Sequence, residues 1–324
     1  MNRAWITGGI VGLLALAATA LVVLALRPAS IDRAPVAPFE IGAVAAFGDT
    51  EWRWAGPTNC NADADVVQLE TSTGGSEWTK SAIPLANIYD LSFRDEQRGV
   101  STGTTKQCAR GVAVTSDAGR TWKAHPDNPV LLDASYGGSI VWGVERVIGT
   151  PQLAAFRPNS RLRLQPVNSI APARPCAASD GVPDQVAFWS EDVGLLLCQN
   201  NVIGSRLMAR TTNAAASFEA IADDRPSLGL AGNEEIIDLD VAGTESAWVL
   251  FAPGADCPEG ELRYSDSGGG QFDALPCASE SVDVDEVLDV AFTSDNDGVM
   301  VALRDRTPVM ASTSDGGESW TELG

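Results

Sequence analysis

An eight-residue frame constrains this chain more than any other feature. TSDGGESW occupies Thr313–Trp320, and the frame returns as TSTGGSEW at Thr71–Trp78, TSDAGRTW at Thr115–Trp122 and TTNAAASF at Thr211–Phe218. YSDSGGGQF, at Tyr264–Phe272, is read as a fifth copy with one residue inserted. The physics of the frame is local. An Asp or Asn side chain accepts hydrogen bonds from backbone N–H groups just ahead of it and closes a turn, a role expected of Asp117, Asn213, Asp266 and Asp315. The glycine that follows takes the left-handed backbone conformation that other residues resist. The closing aromatic, such as Trp78, Trp122 or Trp320, opens the next strand and wedges its ring between packed sheets.

A second frame alternates with the first: Phe93…Gly99, Phe188…Gly194 and Phe292…Gly298 each place a glycine six residues after a phenylalanine. An apolar strand enters, turns through polar residues and leaves at the glycine. Asp295-Asn296-Asp297-Gly298 suggests a calcium loop only superficially, because the distal Glu and the full ligand spacing are missing. Together the frames predict four strands per unit at a period of roughly 45–50 residues, the range of propeller blades. Six units are expected, at about 39–83, 84–129, 130–171, 180–225, 230–277 and 280–324. The third is degenerate: Asn159 stands in its turn without the Gly or the Trp. The expected fold is all-β, a six-bladed β-propeller with Asp-box turns, preceded by one transmembrane helix.

The octets resemble the Asp-box of bacterial neuraminidase-type repeats, and the alternation of the two frames is similar to the propellers of photosystem assembly factors. The resemblance implies a propeller. It does not carry over the sialidase catalytic set, since the chain has no R-I-P arginine motif. Its three tyrosines also have structural explanations: Tyr89 and Tyr136 fall on inner strands and Tyr264 heads an octet. His125 is the single histidine, too few for a Cys/His zinc site, and it sits in a Pro-flanked loop. No catalytic residue is assigned. A binding or assembly module is the leading reading, and an exo-acting glycoside hydrolase using a non-sialidase carboxylate pair is the second.

Ala4–Leu26 carries no charge and is long enough to cross a bilayer, so residues 1–26 read as an uncleaved anchor. Residues 27–38, with Pro28, Pro35 and Pro38, read as a stiff linker to a domain at 39–324. The three-residue head before the span is easily left inside, which places the domain outside the cytoplasm, in a cell envelope. Six cysteines without a C-x-x-C pair fit disulfides in such an oxidising compartment. With 43 Asp and Glu against 22 Lys and Arg, a net charge of −21 argues against a nucleic-acid partner.

With blade strands running A to D outward from the axis, all six cysteines fall on the face of the B–C and D–A loops, opposite the octets. The register predicts the pairs Cys60–Cys108, Cys176–Cys198 and Cys257–Cys277. That face, with its long loops, is the expected surface for an envelope protein or glycan. Asp90, Asp133, Asp238 and Asp289 share one place on four inner strands, where the fourth unit has Gln185 and the first Val44. They are expected near the start of strand A, at the channel mouth on the cysteine face. Two readings are open there: a carboxylate ring that takes a divalent cation such as Ca²⁺, or four Asp residues that each cap their own D–A turn and face water.

Overall fold

The protein is described by a computed structural model covering residues 41–48, 50–56, 69–73, 77–147, 150–170, 172–174, 176, 181–199, 206–221 and 235–323. Six four-stranded antiparallel sheets follow one another along the chain, each built from consecutive strands. Blade 1 contains β1 (Ile41–Phe47), β2 (Thr50–Gly56), β3 (Leu69–Thr73) and β4 (Trp78–Ser81). Blade 2 contains β5 (Asn87–Phe93), β6 (Gly99–Thr104), β7 (Arg110–Thr115) and β8 (Lys123–Ala124). The unit with the degenerate turn is a full blade 3: β9 (Leu131–Gly137), β10 (Ile140–Val147), β11 (Thr150–Pro158) and β12 (Leu164–Pro166). Blade 4 contains β13 (Val182–Phe188), β14 (Gly194–Gln199), β15 (Arg206–Thr211) and β16 (Glu219–Ala220). Blade 5 contains β17 (Ile236–Ala242), β18 (Ser246–Phe251), β19 (Glu261–Ser265) and β20 (Asp273–Ala274). Blade 6 contains β21 (Glu286–Phe292), β22 (Gly298–Arg304), β23 (Thr307–Thr313) and β24 (Thr321–Glu322). This is a six-bladed β-propeller.

Burial grades outward from the second strand. β18 (SAWVLF) is buried at every position, as a strand packed on both faces must be. The outermost strands β8, β16, β20 and β24 are two residues long, polar and exposed, which leaves little free edge for pairing with another chain. Among the described residues no blade borrows a strand from the other end of the chain. The ring closes instead where Val44, Leu288, Val299, Val301 and Met310 pack together across blades 6 and 1.

The octets form one turn, visible in three complete copies. The first-position Thr115, Thr211 and Thr313 hydroxyls accept the N–H of Gly119, Ala215 and Gly317 at 2.9–3.1 Å. Asp117, Asn213 and Asp315 accept the N–H of residues 121, 217 and 319 at 2.9 Å. The fourth and fifth positions are left-handed in each copy, at φ 63° and 76° for Ala118 and Gly119 and at 75° and 98° for Gly316 and Gly317. Blade 5 corrects the expected register. Ser265, not Tyr264, takes the first position, and its hydroxyl accepts the Gly269 N–H at 3.0 Å. Ser267 therefore stands where Asp266 was expected to close the turn, and Gly268 and Gly269 are the left-handed pair. No residue is inserted. Blade 3 makes a different turn, in which Asn159 accepts the N–H of Arg161 and Arg163.

The Phe-to-Gly frame is explained by cross-strand pairing. Phe93, Phe188 and Phe292 end strands β5, β13 and β21 directly opposite Gly99, Gly194 and Gly298. Each ring lies on its glycine, so a Cβ at Gly99 would come within 2.6 Å of Phe93.

Among the described residues no helix is long and apolar enough to cross a membrane. The expected span Ala4–Leu26 and the linker lie outside the described residues. Cys176 is bonded to Cys198 and Cys257 to Cys277. Cys108, between β6 and β7, is also disulfide-bonded. Its expected partner Cys60 lies outside the described residues.

Candidate functional site

The innermost strands surround an axial cavity of about 430 Å³. Asp90, Asp133, Asp238 and Asp289 all line it, and so does Asp240, which the sequence reading missed. Their placement differs from expectation. They sit at the third or fourth residue of their strands rather than at the start, and the cavity runs from them toward the ends of those strands, at residues such as Phe93, Tyr136 and Phe292. It faces the A–B turns, away from the cysteines. Nor does each Asp cap its own D–A turn into water.

Each carboxylate reaches instead into the next blade. Asp90 accepts the Ala134 N–H at 3.1 Å, Asp133 that of Val186 at 2.6 Å and Asp289 that of Val44 at 2.6 Å. Asp238 accepts the Val290 N–H. In blade 4 the amide of Gln185 donates to the Ile237 carbonyl at 2.7 Å. Five of the six junctions are therefore clasped by the same strand position. A β-bulge explains how: the A–B register slips at or just before this residue in blades 2 to 6. Blade 1 pairs regularly through Val44 and has no clasp. The extra residue turns the strand locally and re-aims the side chain that follows.

Desolvation, reinforced by mutual repulsion, shapes the chemistry of the ring. Burial and then the Asp238 charge raise the Asp90 pKa to about 7, and burial raises Asp238 to about 6. Burial, followed by the neighbouring carboxylates, lifts Asp133, Asp240 and Asp289 well above the ordinary range. Asp238 and Asp289 share a hydrogen bond that favours a proton on Asp289 and a charge on Asp238. Asp240 accepts the Phe292 N–H at 2.6 Å. Among the described residues no group of three His, Cys, Asp or Glu side chains is arranged to hold a metal ion. One oxygen of each carboxylate accepts a backbone N–H.

The other singled-out residues have structural surroundings. Tyr89 lies under the Arg110 guanidinium at 4.2 Å, Tyr264 stands beside Trp248, and the His125 ring meets the Arg161 carbonyl at 2.8 Å. Trp78 opens β4 beneath the Arg53 guanidinium. Trp122 and Trp320 meet the edges of Phe93 and Phe292.

On the cysteine face a cavity of about 690 Å³ opens between β11 and the connection from β12 to β13. Leu153, Phe156, Val167 and Ile170 give it an apolar wall, and Glu145, Gln152 and Arg174 supply polar groups. Cys176, bonded to Cys198, forms part of its lining. The loop from Pro253 to Gly260 on the same face is equally fixed: Cys257 is bonded to Cys277, and the buried Glu259 carboxylate accepts the Ser279 N–H at 2.6 Å.

No protein-family model matches the chain, and no curated protein matches it in sequence. Solved structures do resemble it. TolB from Acinetobacter baumannii superposes with a TM-score of 0.55 at 10% identity, over 82% of this chain and 61% of that one. The fucose-specific lectin from Aleuria aurantia gives 0.53 at 10% identity, over 88% and 96%. The GH74 enzyme of Niastella koreensis gives 0.51 at 11% identity, over 88% and 45%. At such identities the likeness is one of fold. This chain spans less than two thirds of TolB and under half of the GH74 enzyme.

Proposed function

We propose that the protein is a membrane-anchored, extracytoplasmic binding or assembly module that presents its B–C/D–A face to a protein or glycan partner. The observation that carries this reading is the cavity beside the Cys176–Cys198 bond. It joins an apolar wall to a few polar groups, the usual make-up of a binding site, and cross-linked loops keep it pre-formed. Preorganised loops lose less entropy on binding. The disulfides support an oxidising compartment, and Ala4–Leu26 supplies the tether. A lectin and an enzyme share the fold, so fold alone chooses neither role.

The test places a photo-crosslinking residue at Gln152 or Arg174 of the full chain in intact cells, with Glu318 on the octet face as control. A discrete adduct at the first two sites, absent at the third, is the expected result. Equal labelling at all three would remove the binding face. The second reading, glycoside hydrolysis, draws on the Asp238–Asp289 proton-sharing pair. It predicts turnover of a glycoside from a fluorogenic panel and loss of that turnover in Asp238→Asn; the binding reading expects no turnover.

A further inference from the structure

The opposite face holds a second site, independent of the binding face proposed above. Between blades 2 and 3 a cleft of about 420 Å³ is lined by Arg94, Arg98 and Arg157, with Tyr136, Ser139 and Asn159 among its other walls. Three guanidiniums around one cleft stand out in a chain of net charge −21. Two carboxylates, Asp95 and Glu191, lie nearby and offset part of this charge, leaving positive charge in excess. Asp95 accepts the N–H groups of Gln97 and Arg98 in its own loop, at 2.9 Å each. It meets the Arg94 and Arg98 guanidiniums only at 3.8 Å, beyond hydrogen-bond distance. Glu191 accepts both the N–H and the hydroxyl of Ser139. Arg157 donates to that same hydroxyl at 3.2 Å, which fixes one end of its planar fork beside the cleft.

The equivalent junction between blades 4 and 5 is filled where this one is open. The residue after the frame phenylalanine is Arg94 in blade 2 and Trp189 in blade 4. Trp189 packs into the junction with blade 5, where its indole N–H meets the carbonyls of Ala242 and Ser246 at 3.0 and 2.9 Å. With Arg94 at this position the junction between blades 2 and 3 stays open. Blade 3 is also the blade that abandons the octet, and its substitute turn at Pro158, Asn159 and Ser160 forms one wall of the cleft. Departures from a repeat's local rule concentrate at functional sites.

We propose that this cleft binds the oxyanion of a small hydroxylated ligand, a phosphorylated or carboxylated sugar residue. Guanidinium forks match planar carboxylate and tetrahedral phosphate oxygens in bidentate fashion. The Tyr136 hydroxyl and the Asn159 amide NH₂, whose Oδ1 is already taken by the N–H groups of Arg161 and Arg163, line the cleft as groups that can pair with ligand hydroxyls. The cleft volume suits a ligand of monosaccharide size.

The test is calorimetric titration of the full chain with inorganic phosphate, glucuronate and glucose. Binding of phosphate, glucuronate or both is expected, with none for glucose; whichever anion binds identifies the oxyanion. Arg157→Gln and the exposed Arg98→Gln should each weaken that binding about tenfold, the loss of one charged hydrogen bond. Lys106→Gln, exposed in the loop between β6 and β7 on the opposite face and outside both cavities, should leave it unchanged. Absence of binding by both anions would overturn the proposal, and so would equal weakening by Lys106→Gln, since the net charge alone would then be responsible.

Discussion

The junctions between blades are of two alternating kinds. Those within the pairs 1–2, 3–4 and 5–6 are aromatic. Trp52, Trp142 and Trp248, on the second strands of the odd blades, stack face to face on Phe93, Phe188 and Phe292 of the even blades, with centroids 3.5, 4.5 and 3.7 Å apart. In two pairs the octet turn of the even blade also caps the indole: Trp52 donates to the Ala118 carbonyl at 3.0 Å and Trp248 to the Gly316 carbonyl at 2.9 Å. The junctions between pairs mix aliphatic side chains with aromatic rings such as Phe251, Phe272 and Trp189 at the 4–5 seam. Leu195, Leu197, Ile236, Leu239 and Val249 supply the aliphatic part of that seam. Both described disulfides also fall within pairs, Cys176–Cys198 in 3–4 and Cys257–Cys277 in 5–6. The architecture is thus three two-blade units, joined at their seams by mixed aliphatic and aromatic packing and axial clasps.

The largest expected effect comes from breaking an aromatic junction. Trp248 is fully buried, stacked and hydrogen-bonded. Trp248→Ala should cost about 3–5 kcal/mol, the range for deleting a buried tryptophan. Leu197→Ala, at the seam between blades 4 and 5, should cost about 2–5 kcal/mol and lie nearer the lower end. Chemical denaturation of both variants measures the difference. A Leu197→Ala loss equal to or larger than that of Trp248→Ala would abolish the distinction between junctions.

A smaller effect tests the clasps through pH. Asp90 joins blade 2 to blade 3 across a seam between pairs, and its pKa is about 7 because of burial and the Asp238 charge. An unfolded aspartate titrates near 4, so from about pH 4 to about 7 the folded state holds the extra proton. Stability from this group therefore falls as pH rises through that window and levels off above it. Asp133, Asp238, Asp240 and Asp289 face the same cavity and act in the same direction. The octet aspartates act oppositely. The Ser319 hydroxyl holds Asp315 below the ordinary range, so its contribution is present at neutral pH and lost on acidification below about 4. Asp90→Asn keeps an oxygen for the Ala134 N–H and removes the charge. Its melting temperature should exceed that of the parent by a few degrees at pH 8, with the gap closing toward pH 4. Asp90→Ala loses the clasp as well and should melt below Asp90→Asn at both pH values. A gap between Asp90→Asn and the parent that does not change with pH would disprove the assignment.

The contrast between junctions was written in the sequence but is hard to see one strand at a time. The frames at Phe93, Phe188 and Phe292 all belong to even blades, and so do the three complete octets. Blade number and turn type were legible because the groups involved are local: Thr115 bonds residues four positions away at most. The register at Ser265 was not, because Asp266 is the more familiar turn residue and only hydrogen bonds show which side chain closes the turn. The clasps were hidden for a different reason. Asp90, Asp133 and Asp289 bond backbone N–H groups of the next blade, which have no side-chain signature, and the bulges that aim them leave no compositional mark. The arginine cleft joins residues from two blades across a turn that looked merely degenerate.

The smallest expected effect concerns differences among the pairs themselves. The 3–4 pair has the widest stack, at 4.5 Å, and the Trp142 indole N–H has no partner among the described residues. Its octet is also the one that places alanine at both left-handed positions, Ala214 at φ 55° and Ala215 at φ 59°. A Cβ in this conformation crowds the following carbonyl at a cost of about 1–2 kcal/mol per residue, partly offset by the greater entropy glycine loses on folding. Ala215 is fully buried and its methyl packs in the core of the pair, whereas Ala214 is only partly buried. Ala214→Gly is therefore the cleaner substitution, with an expected gain of about 0.5–1 kcal/mol. Ala118→Gly, at the same octet position with φ 63°, should give a gain of similar sign. The converse change, Gly316→Ala in the 5–6 pair, should cost at least as much, because a Cβ there would come within 2.9 Å of the Asp295 carbonyl oxygen. Thermal denaturation of the three variants under one buffer compares them directly. If Ala214→Gly destabilises while Gly316→Ala is neutral, the octets are not equivalent turns and the threefold description of the propeller fails at its rim.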